Sequence, residues 1–196
     1  SPVQRSWWNR LTGNFNLDKS PGYQFFDNLS RQFSPYELNP LDINPLRDLV
    51  ASTVDFDRVN SCAIPKIFVT ATNVRTGQAR VFTQPHLSVE TIMASACLPS
   101  VYQAVEIDGE AYWDGGYIGN PALHPLVDET DCRDMVIVQI NPMTRSKLPR
   151  TGREILNRVN EISFNSSLIK ALFAKQLLHK LIEAEGLETE RYRDMR

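Results

Sequence analysis

Asp114-Gly115-Gly116 lies inside the segment ASACLPSVYQAVEIDGEAYWDGGYIGNPALHPL, which runs from Ala94 to Leu126. An aspartate followed by two glycines has two uses. One is a simple turn, since Asp hydrogen-bonds its own backbone and Gly accepts unusual dihedrals. The other is chemical. A serine hydroxyl is a weak nucleophile and needs a base within hydrogen-bond reach. Histidine usually fills that role, but a carboxylate can do so if it is held in place and shielded from water. Desolvation raises its pKa towards a useful range. The glycines would let the backbone turn sharply and approach a neighbouring loop closely. Pro121 would fix the exit from the turn.

Other residues that could do chemistry carry weaker signals. His124 follows Asp114 closely and admits a Ser-His-Asp reading, although packing or capping explains it as well. His86 and His179 are spaced for no metal site. The acidic group Asp128, Glu129, Asp131 and Asp134 does not fit an EF-hand loop and reads as a solvated turn. GGYIGN lacks the Lys-Ser/Thr of a phosphate loop, and Pro121 stands where a helix would have to open, so nucleotide binding is not expected. Cys62, Cys97 and Cys132 form neither a disulfide framework nor a zinc site, and each is expected to be a small buried side chain. No metal site and no cofactor is expected.

The elements that position Asp114 can be read on both sides of it. Ile64 to Val74 (IPKIFVTATNV) is a dense β-branched run and reads as a buried strand. Thr76-Gly77 turns it into a second strand, Ala79–Phe82. Ser88 can cap a helix from Val89 to Cys97, ended by Pro99. Val101 to Ile107 is extended, and Asp108-Gly109 marks a type I′ hairpin turn. Glu110 to Trp113 returns and delivers Asp114. Met135 to Ile140 (MVIVQI) reads as another short buried strand, and Pro142 to Pro149 as a loop.

Helix starts are marked at Ser20-Pro21 and at Asn44-Pro45. The first should give a short helix through Leu29 to about Phe33, stopped before Pro35. The second carries Leu46, Leu49, Val50 and Val54. Arg153 to Glu185 has helical apolar spacing with Gly186 as a stop. Ser163 to Ser167 is poor in helix formers, so this region is one helix or two. It is expected to cover the sheet, with a partner helix as the alternative.

Strands alternating with helices imply an α/β layered fold. Only Ile64–Val74 and Met135–Ile140 have the run expected of central parallel strands. The 196 residues are 42% hydrophobic and 22% charged, ordinary for one globular domain. A formal net charge of -2 gives no basic field, so nucleic acid is not an expected partner. No apolar run approaches a membrane span of about 20 residues, and no signal peptide is recognisable. The N-terminal aromatics, including Trp7, Trp8, Phe15, Phe25 and Phe26, are expected to pack a core or cover a cleft from inside, with a lipid-facing cap as the alternative.

The segment from Ile64 to Pro125 resembles the C-terminal half of a bacterial patatin-like phospholipase domain. IPKIFVTATNVRTGQARVF is similar to that family's core strand and hairpin. SVETIMASACLPSVYQAVEIDGEAYWDGGYIGNPALHPL is similar to its helix, hairpin and D-G-[GA] motif. The resemblance implies a serine lipid acyl hydrolase, a phospholipase or esterase of lipid degradation, that cleaves fatty acyl esters with a Ser-Asp dyad on a three-layer α/β/α sandwich. Asp114 corresponds to the dyad aspartate, and Gly115 and Gly116 to the motif's glycines.

The family's G-x-S-x-G nucleophile elbow and its glycine-rich oxyanion loop have no match here. Each lost oxyanion donor costs on the order of 10²–10³ in rate. The chain by itself is therefore expected to be inert: residues 1–196 form the C-terminal portion of one domain, and the serine portion lies elsewhere. The implied partners are a lipid or acyl ester substrate, the N-terminal fragment of the same protein and a membrane surface. Cytoplasm and secretion are equally open. The alternative is a non-catalytic patatin-like scaffold or binding domain that lacks the nucleophile.

Overall fold

The computed structural model describes residues 32–130 and 134–185. Two compact units are distinguished, with residues 32–43 and 100–103 in one and the remaining described residues in the other. In the smaller unit, helix α1 (Pro35–Leu38) begins with proline, and Ser34 and Glu37 close a capping box on its start. Asn39 brackets the following turn through both its amide nitrogen and its oxygen, each bonded to Ile43. The expected helix from Ser20-Pro21 to about Phe33 lies almost entirely outside the described residues, as do the N-terminal tryptophans.

The larger unit starts with α2 (Pro45–Thr53), where Asn44 accepts a hydrogen bond from the Leu46 N–H, as the Asn-Pro signal requires. A second short helix, α3 (Phe56–Ser61), is capped by Asp55. The sequence reading did not anticipate it; Asp55, three residues before the Arg58 N–H that it binds, was the available signal. Cys62 ends this helix and is exposed, against the expectation of burial, because α3 turns that end to solvent.

The sheet has four strands in the order β2-β1-β4-β3: β1 (Phe68–Asn73), β2 (Ala79–Thr83), β3 (Val105–Ile107) and β4 (Glu110–Asp114). All three pairings are antiparallel. The expectation of central parallel strands fails because tight turns join β1–β2 and β3–β4, and β4, on the return arm of the second hairpin, runs antiparallel to β1. Parallel neighbours need a crossover of a dozen residues or more. Asn73 organises the first turn by accepting from the Arg75 and Thr76 N–H groups, with Gly77 at φ 67°. Asp108 and Gly109 form the second at φ 54° and 77°, the positive values expected of a type I′ turn. Arg80 braces both edges, donating to the Tyr112 hydroxyl (2.7 Å) and to Asp108 (2.6 Å).

Helix α4 (Val89–Ser95) starts from the predicted Ser88, which forms a reciprocal cap with Thr91. It packs against β1, β3 and β4. Ala71, Phe82, Leu87, Ala94 and Tyr112 form the buried core, with Phe82 and Tyr112 edge-to-face at 5.7 Å. Fully burying a large apolar side chain contributes about 1.5–3 kcal/mol, so this small cluster carries much of the unit's stability. Asn60 of α3 locks onto Leu87 by bonding both its N–H and its carbonyl.

Met135–Ile140 is not a strand. It runs without ladder partners among the described residues, and Val136, Val138 and Ile140 are 90%, 86% and 92% exposed. A β-branched run becomes a strand only where a neighbour satisfies its backbone, and no described strand lies beside it. The following loop is held by polar contacts instead. Asn165 and Arg158 donate to the Pro142 carbonyl, and Arg145 pairs with Glu161. Two further helices follow among the described residues: α5 (His124–Glu129) and α6 (Gly152–Glu185).

Helix α6 is continuous across Ser163–Ser167, a span of about 50 Å at the usual rise per residue. Its main contact is with the turn that follows Asp114 rather than with the sheet. Ile155, Val159, Ile162, Ile169 and Phe173 are exposed, so the expected sheet-covering role gives way to contact with that turn.

Candidate active site around Asp114

Asp114 is the last residue of β4, opposite Ala71 of central strand β1. Its backbone is fixed on both sides. The Asp114 N–H donates to the Cys97 carbonyl at 2.8 Å, and its own carbonyl accepts from Thr72 Oγ1 at 2.8 Å. The first contact depends on the end of α4, where Ala94 and Cys97 are small and buried. The small-residue helix and the hairpin thus meet at this aspartate.

Beyond Asp114 the chain enters a single 3-10 turn, Gly115–Tyr117. The carboxylate caps it: Asp114 Oδ1 accepts from the Gly116 N–H at 2.7 Å. Both glycines are buried and both are needed for space. A Cβ on Gly115 would stand 2.0 Å from the Thr70 carbonyl oxygen, an impossible contact with central-strand backbone. A Cβ on Gly116 would stand 2.4 Å from Phe164 Cε1 of α6. The turn is closed by Ile118 and Gly119 N–H groups on the Gly115 carbonyl. Asn120 then donates its N–H to Ser167 Oγ of α6, and the Asn120–Pro121 peptide is cis.

The electrostatics follow from this enclosure. Partial burial pushes the Asp114 carboxyl above the usual aspartate value, and the Gly116 hydrogen bond opposes part of that rise. Tyr117 is also raised, first by burial, then by the negative charges of Asp114 and Cys97. A half-buried carboxylate with one oxygen anchored and a raised proton affinity is suited to accept a proton from a nearby hydroxyl.

Asp114, Gly115 and Gly116 therefore share one built turn. His124 begins α5, outside that turn, and His86 follows β2. Among the described residues no group of three or more His, Cys, Asp or Glu side chains is placed to hold a metal ion. Sequence reasoning missed Phe164 and Ser167, the α6 residues that touch the turn. A signal existed: the run Ser163–Ser167, read as a poor helix, holds both Phe164 and Ser167.

Residues 4–127 match the family described as Patatin-like phospholipase. The chain belongs to the patatin-like phospholipase family. That membership agrees with the mixed arrangement of helices and an antiparallel sheet, an α/β fold, and places the protein among lipid acyl hydrolases. No curated protein matches the chain. The matched region ends within α5, so the loop 142–149 and α6 lie outside it.

Proposed function

We propose that this chain supplies the catalytic base of a bacterial serine lipid acyl hydrolase, cleaving fatty acyl esters with a Ser-Asp dyad. The observation that carries the proposal is the state of Asp114: half-buried, raised in pKa, and anchored through one oxygen to the Gly116 N–H. The serine elbow and oxyanion donors come from patatin-like sequence outside residues 1–196, which would also complete the three-layer sandwich as one domain. The intact protein would engage a lipid or acyl ester substrate at a membrane surface.

In the first half-reaction the serine Oγ–H proton passes to the Asp114 carboxylate as Oγ attacks the ester carbonyl carbon. The oxyanion collapses, the C–O bond to the leaving alcohol breaks, and Asp114 returns its proton to that alcohol. In the second, water gives a proton to Asp114 and attacks the acyl-serine. The acyl C–Oγ bond breaks, serine recovers the proton, and a fatty acid leaves. Because the base must be ionised to begin, turnover falls as pH drops through the raised Asp114 pKa.

A non-catalytic scaffold is the competing reading, favoured by the lack of a G-x-S-x-G elbow in the chain. Fluorophosphonate labelling separates the two. Protein expressed with the reading frame upstream of Ser1 should label on a serine, and Asp114→Asn should slow labelling by at least about a hundredfold, the low side of the roughly 10²–10⁴ expected for loss of a general base. Labelling unchanged by Asp114→Asn would remove Asp114 from the mechanism. No labelling at all would favour the scaffold.

A further inference from the structure

The aspartate turn is enclosed on one side by a helix that the family match does not include. The Phe164 ring lies where a Gly116 Cβ would be, with Cε1 and Cδ1 at 2.4 and 2.5 Å from that position. The same ring packs on Tyr117, centroids 4.7 Å apart and tilted by 57°. One turn further along α6, Ser167 accepts from the Asn120 N–H at 3.0 Å. Contacts from α6 thus touch the second, third and sixth residues after Asp114. The neighbouring Asn165 and Leu168 are buried, so this part of α6 is seated firmly.

We infer that Phe164 is a positioning residue for Asp114, holding the Asp114–Gly116 turn closed and keeping water from its flank. This inference deepens the reading of Asp114 as the catalytic base and rests on it. The mechanism is mechanical and dielectric. Gly116 supplies the N–H that anchors the carboxylate, and Phe164 occupies the space into which Gly116 would otherwise relax. An apolar ring beside the turn also removes solvent that would compete for that N–H. The titratable group that feels the Asp114 charge is Tyr117 within the turn, which the Cys97 charge also affects; Phe164 brings no charge of its own. The family's motif tolerates glycine or alanine at the third position. Here an alanine would have to displace the Phe164 ring.

Two measurements on the purified chain test this without requiring turnover. Hydrogen exchange of the Gly116 amide reports the anchor, and a carbon-13 NMR titration of the Asp114 carboxyl reports its surroundings. Phe164→Ala should speed Gly116 exchange by about three- to tenfold, the range for one hydrogen bond net of solvent, and should lower the Asp114 midpoint, because the gain of solvent at the carboxyl outweighs the weakened Gly116 hydrogen bond. Phe164→Leu should restore most of both. Leu168→Ala, on the same helix and buried, should change stability without moving the Asp114 midpoint. A second arm covers the case in which Phe164→Ala does not fold: Gly116→Ala should disturb the wild type and be relieved in the Phe164→Leu background. The inference is overturned if Gly116 exchange and the Asp114 midpoint do not respond to Phe164→Ala, if Leu168→Ala moves them equally, or if Gly116→Ala is no better tolerated beside leucine. Fluorophosphonate labelling of the longer protein remains the separate test of catalysis. Its failure with a responsive Asp114 midpoint would reject the hydrolase reading and leave the Phe164 contact intact.

Discussion

The segments Phe68–Asp114 and Met135–Ile140 both look like sheet in sequence, and they behave oppositely. In the first, β-branched residues pair across four antiparallel strands and bury Ala71, Phe82 and Tyr112 against α4. In the second, a run at least as apolar has no assigned secondary structure, and Val136, Val138 and Ile140 face solvent. Composition does not separate them. Local turn chemistry does. Asn73, Gly77, Asp108 and Gly109 return the chain onto itself, so each strand of the first region has one neighbour within a few residues, and the two hairpins then join through β1 and β4. Met135–Ile140 has no such return, and a strand without a partner leaves its N–H and C=O groups to water.

The comparison breaks most readily in the core. Phe82→Ala should cost about 3–5 kcal/mol, the range for deleting a buried aromatic, read from the urea midpoint. Val138→Ser in the exposed segment should fall within about 0.5 kcal/mol of wild type. Equal costs at the two positions would remove the distinction between the regions.

The next largest effect is at the motif. Gly115→Ala forces a Cβ against the Thr70 carbonyl, and should lose at least the roughly 1–3 kcal/mol of an overpacked site. Gly152→Ala at the start of α6 meets nothing within 4 Å. It should be neutral or stabilising by up to about 1 kcal/mol, since alanine is the better helix former. A smaller effect, about 1 kcal/mol, is expected from Ser88→Ala, which removes the cap that aims α4 at the aspartate.

The smallest effect concerns charge. Asp114 is raised in the folded state, so its ionised form is favoured by unfolding. That penalty is absent below the unfolded value of about 3.9. It grows as pH rises from there through the folded pKa, and is constant above it. Asp114→Asn keeps an oxygen for the Gly116 N–H and removes the charge. It should melt slightly higher than wild type at pH 7 and match it at pH 3 in thermal scans. A wild type that gains stability over this window relative to Asp114→Asn would reverse the sign assigned to the site.

Much of the site was legible in the residues. Ser88, the α4 small residues, Asp108-Gly109 and Asp114-Gly115-Gly116 are local signals, each fixed by a dihedral or a cap within a few positions. They led to the correct hairpin and the correct turn. Two things were not local. Strand direction depends on which partners are available, so the antiparallel order β2-β1-β4-β3 could not be read from the apolar runs alone. Phe164 and Ser167 act on Gly116 and Asn120 from nearly fifty residues downstream. In sequence they look only like a weak stretch of helix. The exposure of Cys62 is of the same kind, set by how α3 is seated rather than by its own type.

The central claim is that Asp114 is the base of a serine acyl hydrolase. Its most direct test is acyl ester hydrolysis by the protein that includes the upstream reading frame, compared with its Asp114→Asn variant across pH. The account predicts a loss of roughly 10²–10⁴ in kcat/KM and a wild-type acidic limb lying above the usual aspartate range. Hydrolysis that is undiminished by Asp114→Asn, with the same acidic limb, would contradict it.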